Sequence, residues 1–299
     1  MEREDIEFKV GTDRCAAWLY RPSGTSGLVP AVVLGTGFSC VRDQGLDRFA
    51  ERFAAAGYLA LAFDYRHFGD SEGRPRQLAR ASLQRADYLG ALGFVRSLPE
   101  VDPGRVALWG YSFGGGHVQQ LAATEPGIAA AICVAPVVNL VRSLNLVGAL
   151  PLFGRLLAAG VRDASRAVRG AEPYMIPAVG PPGSGAVLSS PDSAPGIAAM
   201  TPPGSSWRNA VCARAIWAPP YLLERKVRAI RCPILYCIAE DDDVNPPALG
   251  RRAAASAPDG ELRPYPGGHY ELCNPAVYER MAADQVEFLA SRWAGRSEG

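Results

Sequence analysis

The hydrophobic positions of this chain fall into two alternating kinds of run. Continuous apolar stretches at residues 31–34, 58–63, 106–109, 129–134 and 234–238 read as strands buried on both faces. Between them, residues 46–56, 78–98 and 113–124 read as helices. In the first helix Leu46, Phe49, Ala50 and Phe53 share one face, and Gly57 supplies the C-terminal stop. The rhythm resumes after residue 234, with a helix at 248–255 introduced by Pro246 and Pro247, a strand at 261–264 and a final helix at 275–293. Two β-rich segments, 6–10 and 16–20, open the chain on either side of the turn Gly11-Thr12-Asp13-Arg14. Apolar strands alternating with helices predict an α/β fold, a mostly parallel central sheet with helices on both faces.

Residues 139–225 break the pattern. An apolar, helix-like stretch (Leu140, Leu144, Leu146, Leu150, Leu152, Phe153, Leu156, Leu157) leads into a Pro/Gly/Ser-rich run at 177–206. A structureless run of that length inside a compact domain marks a lid, a binding loop or disorder. It is read as an inserted cap, the α/β core being residues 1–138 and 226–299. No internal repeat is visible.

Composition narrows the function classes. Of 299 residues, 48% are hydrophobic and 20% charged, enough apolar material for a large core. The 31 basic and 30 acidic side chains leave a net charge of +1, which argues against nucleic acid or an anionic membrane as principal partner. No apolar run reaches the ~18 residues of a membrane span. The opening Met1-Glu2-Arg3-Glu4-Asp5 is acidic where a signal peptide is basic, so the expected location is the cytoplasm. Seven scattered cysteines without a C-x-x-C pair suggest neither a disulfide framework nor a zinc site, and most read as small core residues. No metal or organic cofactor is expected. The expected partner is a small-molecule substrate, and a homo-oligomer is left open.

The strongest chemical signal is Gly110-Tyr111-Ser112-Phe113-Gly114, between a predicted strand and a predicted helix. In that context G-x-S-x-G is a nucleophile elbow: the serine sits on a strained turn, and side chains two residues either way would strike backbone. The helix N-terminus behind the serine favours developing negative charge. A serine hydroxyl needs an adjacent base. Of the three histidines, His269 in Gly267-Gly268-His269-Tyr270 lies in a loop between the last strand and the last helix. His117 is five residues past Ser112 on the same helix, which assigns it a packing or surface role; His67 lies in a loop read as structural, bordering the pocket. An acid must orient the base, and the turn Glu240-Asp241-Asp242-Asp243 follows the predicted strand at 234–238.

These features together resemble the α/β-hydrolase superfamily over nearly the whole length outside the cap, with some likeness around the elbow to X-prolyl-peptidase-like members. The resemblance implies the order Ser, Asp, His. In the superfamily the acid loop commonly reads Gly-x-x-Asp-x-x-x-Pro; here Ala239 replaces the glycine, Asp242 takes the acid's place and Pro246 the proline's. Some relatives carry the acid one core strand earlier, where this chain offers only Asn139. The resemblance also implies an oxyanion hole from the backbone N–H groups of Phe38 and Phe113, with Thr36-Gly37-Phe38 departing from the usual His-Gly-x at its first position. The loop from Asp64 to Gly73 matches a superfamily pattern of structural role.

The implied activity is a serine hydrolase, a carboxylesterase working through an acyl-enzyme on a small hydrophobic substrate. Lactone, thioester, amide or carbon–carbon hydrolysis, or acyl transfer, are alternatives for the same three residues. A serine at the elbow argues against the haloalkane dehalogenase and epoxide hydrolase chemistries, which use aspartate there. Cap residues Leu150, Phe153, Leu157, Trp207, Trp217 and Tyr221 suggest either a hydrophobic acyl or alcohol site or plain packing. Two other classes compete. One is a non-catalytic binding module on the hydrolase scaffold. The other is a dinucleotide-binding fold, suggested by Gly35-Thr36-Gly37 after a strand; it puts Cys40 where the third glycine belongs and leaves Ser112, Asp242 and His269 unexplained.

Overall fold

The computed structural model describes residues 1–143, 150–217, 221–271 and 274–293. Leu144, Leu146 and Cys273 of the sequence reading lie outside them, as do the side chains of Leu150 and Leu152. The apolar runs assemble into one sheet made of β1 (Glu2–Val10), β2 (Asp13–Arg21), β3 (Val29–Gly35), β4 (Leu59–Phe63), β5 (Val101–Tyr111), β6 (Ala130–Val134), β9 (Ile234–Ala239) and β10 (Gly260–Tyr265). A separate short ribbon pairs β7 (Met175–Ile176) with β8 (Val211–Cys212). The order in the large sheet is β1-β2-β4-β3-β5-β6-β9-β10. The first two pairings are antiparallel, and every pairing from β4 to β10 is parallel.

Alternation along each strand feeds two apolar layers. Val33, Leu61 and Leu108 face one layer with Tyr88, Leu92 and Val95 of α2 (Ala81–Ser97) and Val118 and Leu121 of α3 (Phe113–Thr124). Leu249 and Ala253 of α7 (Pro247–Ser256) complete that side. Val32, Leu34, Ala60 and Trp109 face the other, against Phe49 and Phe53 of α1 (Leu46–Ala55) and Met281 and Phe288 of α8 (Pro275–Trp293). Trp109 joins that layer to the strand that leads into Ser112. Its ring lies 4.8 Å from Phe49, and its Nε1–H donates to Gln285 Oε1 at 2.9 Å. Burying side chains of this size contributes roughly 1.5–3 kcal/mol each, which makes β5 a firm support.

The differences from the sequence reading have local causes. β5 begins five residues early because its register with β3 shifts between Val29 and Ala31, an irregularity that accommodates Pro103 and Gly104. The run 177–206 is not structureless. It holds α6 (Ser193–Met200) and a bridge between Val179 and Leu188. Pro195 falls in the first turn of α6, where a missing N–H breaks no helical bond, and Ile197 buries the inner face. Ahead of that run, within residues 139–225, lie α4 (Leu140–Ser143) and α5 (Leu150–Val168). Trp217, half exposed, packs on Gly160 of α5 rather than toward a pocket. No helix among the described residues is long and apolar enough to cross a membrane. The six described cysteines are buried and none is in a disulfide.

The loop after β3 is fixed by buried ions. Arg42 donates its backbone N–H to Asp64 Oδ1 at 2.7 Å, and its guanidinium bonds Asp64 and reaches Asp70 Oδ2 at 2.7 Å. Burial pushes the Asp64 carboxyl up to about 6, against the pull of Arg42. The pair anchors the stretch that carries Phe38 beside the end of β5.

Candidate active site

Four loops at the carboxyl ends of β3, β5, β9 and β10 converge. Ser112 follows β5 with φ 54° and ψ −113°, a backbone conformation that L-residues avoid. The turn fits only because its flanks lack side chains. A Cβ on Gly110 would lie 2.4 Å from the Gly114 carbonyl, and one on Gly114 would lie 2.5 Å from Thr36 O. The Ser112 N–H donates to Val134 O at 2.8 Å, and its C=O accepts from Val137 and Gly116, so the strained residue is held on both sides.

The other two loops are zipped together. Glu240 donates its N–H to Tyr265 O at 2.9 Å and Asp241 to Gly267 O at 3.0 Å, which brings the acidic turn alongside the histidine loop. Of the four acidic residues only Asp242 is buried; Glu240 turns outward to Arg251, and Asp243 accepts from Ser190 and the Asp192 N–H. Asp242 Oδ1 accepts the N–H groups of Val244 at 2.9 Å and Asn245 at 2.7 Å. Its Oδ2 faces His269 Nδ1 at 2.8 Å, and His269 Nε2 lies 3.0 Å from Ser112 Oγ. The carboxylate accepts the Nδ1–H, so Nε2 is left as an acceptor for the serine hydroxyl. Tyr111 supports the ring at a centroid distance of 5.2 Å and donates its O–H to His269 O at 2.8 Å. Ser112, Asp242 and His269 are 6%, 7% and 1% exposed, so the group is shielded from bulk water.

Phe38 and Phe113 flank the serine. A Cβ on Gly37 would sit 3.3 Å from Ser112 Cβ, so the loop after β3 runs directly against Ser112. The rings of Phe38 and Phe113 meet edge to face at 5.9 Å. The other histidines are elsewhere. His117 is fully buried in a polar contact with Tyr221 Oη and Gln84 Oε1, and burial pushes its pKa well below the ordinary value. His67 Nδ1 pairs with Pro75 O at 2.9 Å. Among the described residues no cluster of His, Cys, Asp or Glu is arranged to hold a metal ion.

Spacing alone gave no reason to single out Asn245 or Tyr270. Asn245 Nδ2 donates to Ala135 O at 2.9 Å, across 110 residues of chain, and lies 3.5 Å from Ser112 Oγ, across 133. Tyr270 meets Cys40, Val179 and Ile197 in a small apolar cluster joined by Leu188, Met200, Trp207 and Val244. That cluster draws on the loop after β3, the acidic turn, the histidine loop and the segment 139–225. One cleft among the described residues, about 950 Å³, is lined by Asp13, Arg74, Arg76 and Arg208 and does not include Ser112. A second, about 840 Å³, includes Tyr270, Pro195 and Met200 and so reaches the residue next to His269.

A model of the alpha/beta hydrolase family matches residues 29–284. The chain belongs to that family. It is 39% identical over 289 residues to the quorum-quenching protein AidA of Acinetobacter baumannii (strain MDR-ZJ06), covering 95% of this chain and 93% of AidA. A thiohydrolase of Eupenicillium brefeldianum is 31% identical over 175 residues, 58% of this chain and 54% of that protein. The crystal structure of the alpha/beta hydrolase GrgF from Penicillium sp. sh18 superposes with a TM-score of 0.82 at 26% identity, covering 98% of this chain and 100% of GrgF. The alpha/beta hydrolase assignment carries with it hydrolysis as the reaction class and a small molecule as the substrate.

Proposed function

We propose that this alpha/beta hydrolase cleaves a carboxylic ester through an acyl-enzyme on Ser112. The 3.0 Å approach of Ser112 Oγ to His269 Nε2, with Asp242 behind the ring, carries the reading. Ser112 Oγ attacks the carbonyl carbon as His269 takes its proton. Asp242 holds the Nδ1–H tautomer and stabilises the imidazolium. The N–H groups of Phe38 and Phe113 receive the oxyanion; one such donor is typically worth ~3–4 kcal/mol of barrier. His269 then protonates the leaving oxygen, and a water deprotonated by the same nitrogen releases the acid. Residues 139–225 act as the cap, and the apolar cluster around Tyr270, Ile197 and Val179 takes the acyl or alcohol group.

A thioester is the second reading, favoured by the relative named thiohydrolase, and a lactone fits the same chemistry. The quorum-quenching name of AidA makes lactones and other small acyl compounds worth including in the assay. Turnover of p-nitrophenyl butyrate, a short acyl thioester and a butyrolactone by the wild type and by Ser112→Ala tests the reading. The expected result is loss of several decades in the variant for whichever substrate is turned over. Activity of Ser112→Ala within a few-fold of wild type ends the proposal.

A further inference from the structure

Asn245 holds a buried acceptor that the fold does not use. Its side chain is oriented unambiguously: Ala135 O can only accept, so the atom 2.9 Å from it is Nδ2, and the other terminal atom is Oδ1. No group among the described residues donates to that Oδ1, although Asn245 is only 6% exposed. An acceptor buried this way costs free energy unless a donor meets it during function.

Its place beside the serine restricts what that donor can be. In the sheet order, β3 flanks β5 on one side, and β6 and β9 lie on the other. Phe38 follows β3, whereas Ala135 and Asn245 follow β6 and β9. Asn245 therefore approaches Ser112 from the side opposite the expected oxyanion donors, the side from which His269 also reaches it. Oδ1 shares its planar amide with the Nδ2 that stands 3.5 Å from Ser112 Oγ, and an acceptor that close to the serine repels an oxyanion and is met by an O–H or N–H. The leaving atom of an ester or thioester carries no hydrogen. A water carries two, one for His269 Nε2 and one to spare.

We propose that Asn245 Oδ1 binds and orients the water that hydrolyses the acyl-enzyme, an inference that rests on the acyl-enzyme reading above. In that step the water oxygen bonds to the acyl carbon while one of its protons passes to His269 Nε2. Its other O–H donates to Asn245 Oδ1. The tetrahedral intermediate then collapses, the bond from carbon to Ser112 Oγ breaks, and His269 returns the proton to Oγ. Asn245 acts on deacylation, and acylation proceeds without it.

The test follows the two half-reactions separately with p-nitrophenyl butyrate, using wild type, Asn245→Ala and Asn245→Ser. The burst of nitrophenol reports acylation, and the mass of the acyl-enzyme with time reports its decay. Labelling by a fluorophosphonate, which needs Ser112 and no water, serves as the control for folding and nucleophile. In Asn245→Ala, decay is expected to slow about 10- to 100-fold while the burst rate and labelling stay within about 3-fold, so that the acyl-enzyme accumulates. The serine hydroxyl of Asn245→Ser, itself an acceptor, is expected to restore part of the decay rate. Decay within about 2-fold of wild type in both variants overturns the inference. So does an equal fall in burst, labelling and decay, which assigns Asn245 to Ser112 or to the fold instead. Absence of any adduct in the wild type is distinguishable from all of these, since it removes the acyl-enzyme itself.

Discussion

Replacing Asp242 by Asn probes the arrangement around His269 with a change of one atom. Oδ1 accepts two backbone N–H groups, from Val244 and Asn245, so the amide oxygen must occupy that side; the reverse orientation would point an NH₂ at two donors. The amide nitrogen then faces His269 Nδ1 at the position where Oδ2 stands 2.8 Å away. A donor there forces Nδ1 to be the acceptor and moves the ring proton to Nε2, 3.0 Å from Ser112 Oγ. An Nε2–H donates to the serine and cannot take its proton. The same tautomer error in serine proteases costs ~10⁴-fold in kcat, about 5.5 kcal/mol of transition-state stabilisation. The assay is kcat/KM on an activated ester together with the thermal midpoint, for Asp242→Asn and for Asp241→Asn, whose side chain is exposed. Asp242→Asn is expected to lose roughly four decades with its midpoint little changed, and Asp241→Asn to stay within about 3-fold. If Asp242→Asn keeps a tenth of wild-type activity, or Asp241→Asn is the damaging change, the tautomer argument is wrong for this protein.

Other consequences test the scaffold. Gly114→Ala puts a methyl 2.5 Å from the Thr36 carbonyl, where neither backbone can yield; destabilisation of about 2–4 kcal/mol is expected in urea melts, with loss of activity, and a neutral substitution would refute the packing of the elbow. Arg42→Ala leaves Asp64, 1% exposed, without its guanidinium partner and is expected to cost about 3–5 kcal/mol, whereas a change under about 1 kcal/mol would show the pair is not structural. His117 stays neutral in the fold while the unfolded chain takes up a proton below about pH 6.5, so its contribution to stability falls as pH drops, by up to about 1.4 kcal/mol per pH unit. Asp64 and Asp87, each pushed by burial to about 6, act oppositely, because the folded state keeps their protons longer and loses stability as pH rises from about 4 to 6. The difference between wild type and His117→Phe isolates the histidine: their stability gap should narrow steadily below pH 6.5, and a pH-independent gap would contradict a buried neutral ring.

Much of the fold is legible in the sequence because its determinants are local. Continuous apolar strands such as 129–134 and amphipathic helices such as α1 announce themselves through periodicity, and Gly57 and Pro247 mark their ends. The elbow is legible for the same reason: Gly110 and Gly114 answer to contacts within five residues of Ser112 and with the neighbouring strand. The segment 177–206 is misread because its prolines and glycines describe turns accurately and hide α6, in which just Ser193 and Ile197 are fully buried. Asp242 is distinguished from its acidic neighbours by burial, which follows from the zipping of two loops; in the sequence only the resemblance through its spacing to Pro246 sets it apart. Asn245 is least legible of all. Its meaning comes from the Ala135 carbonyl and from Ser112, both more than a hundred residues away.

The most direct measurement is peptide mapping after treatment with a fluorophosphonate, for wild type and for His269→Ala. If Ser112 is the activated nucleophile, the wild type carries one adduct, on the peptide containing Ser112, and His269→Ala labels orders of magnitude more slowly. An adduct on another residue, or labelling of Ser112 at the same rate without His269, would contradict it.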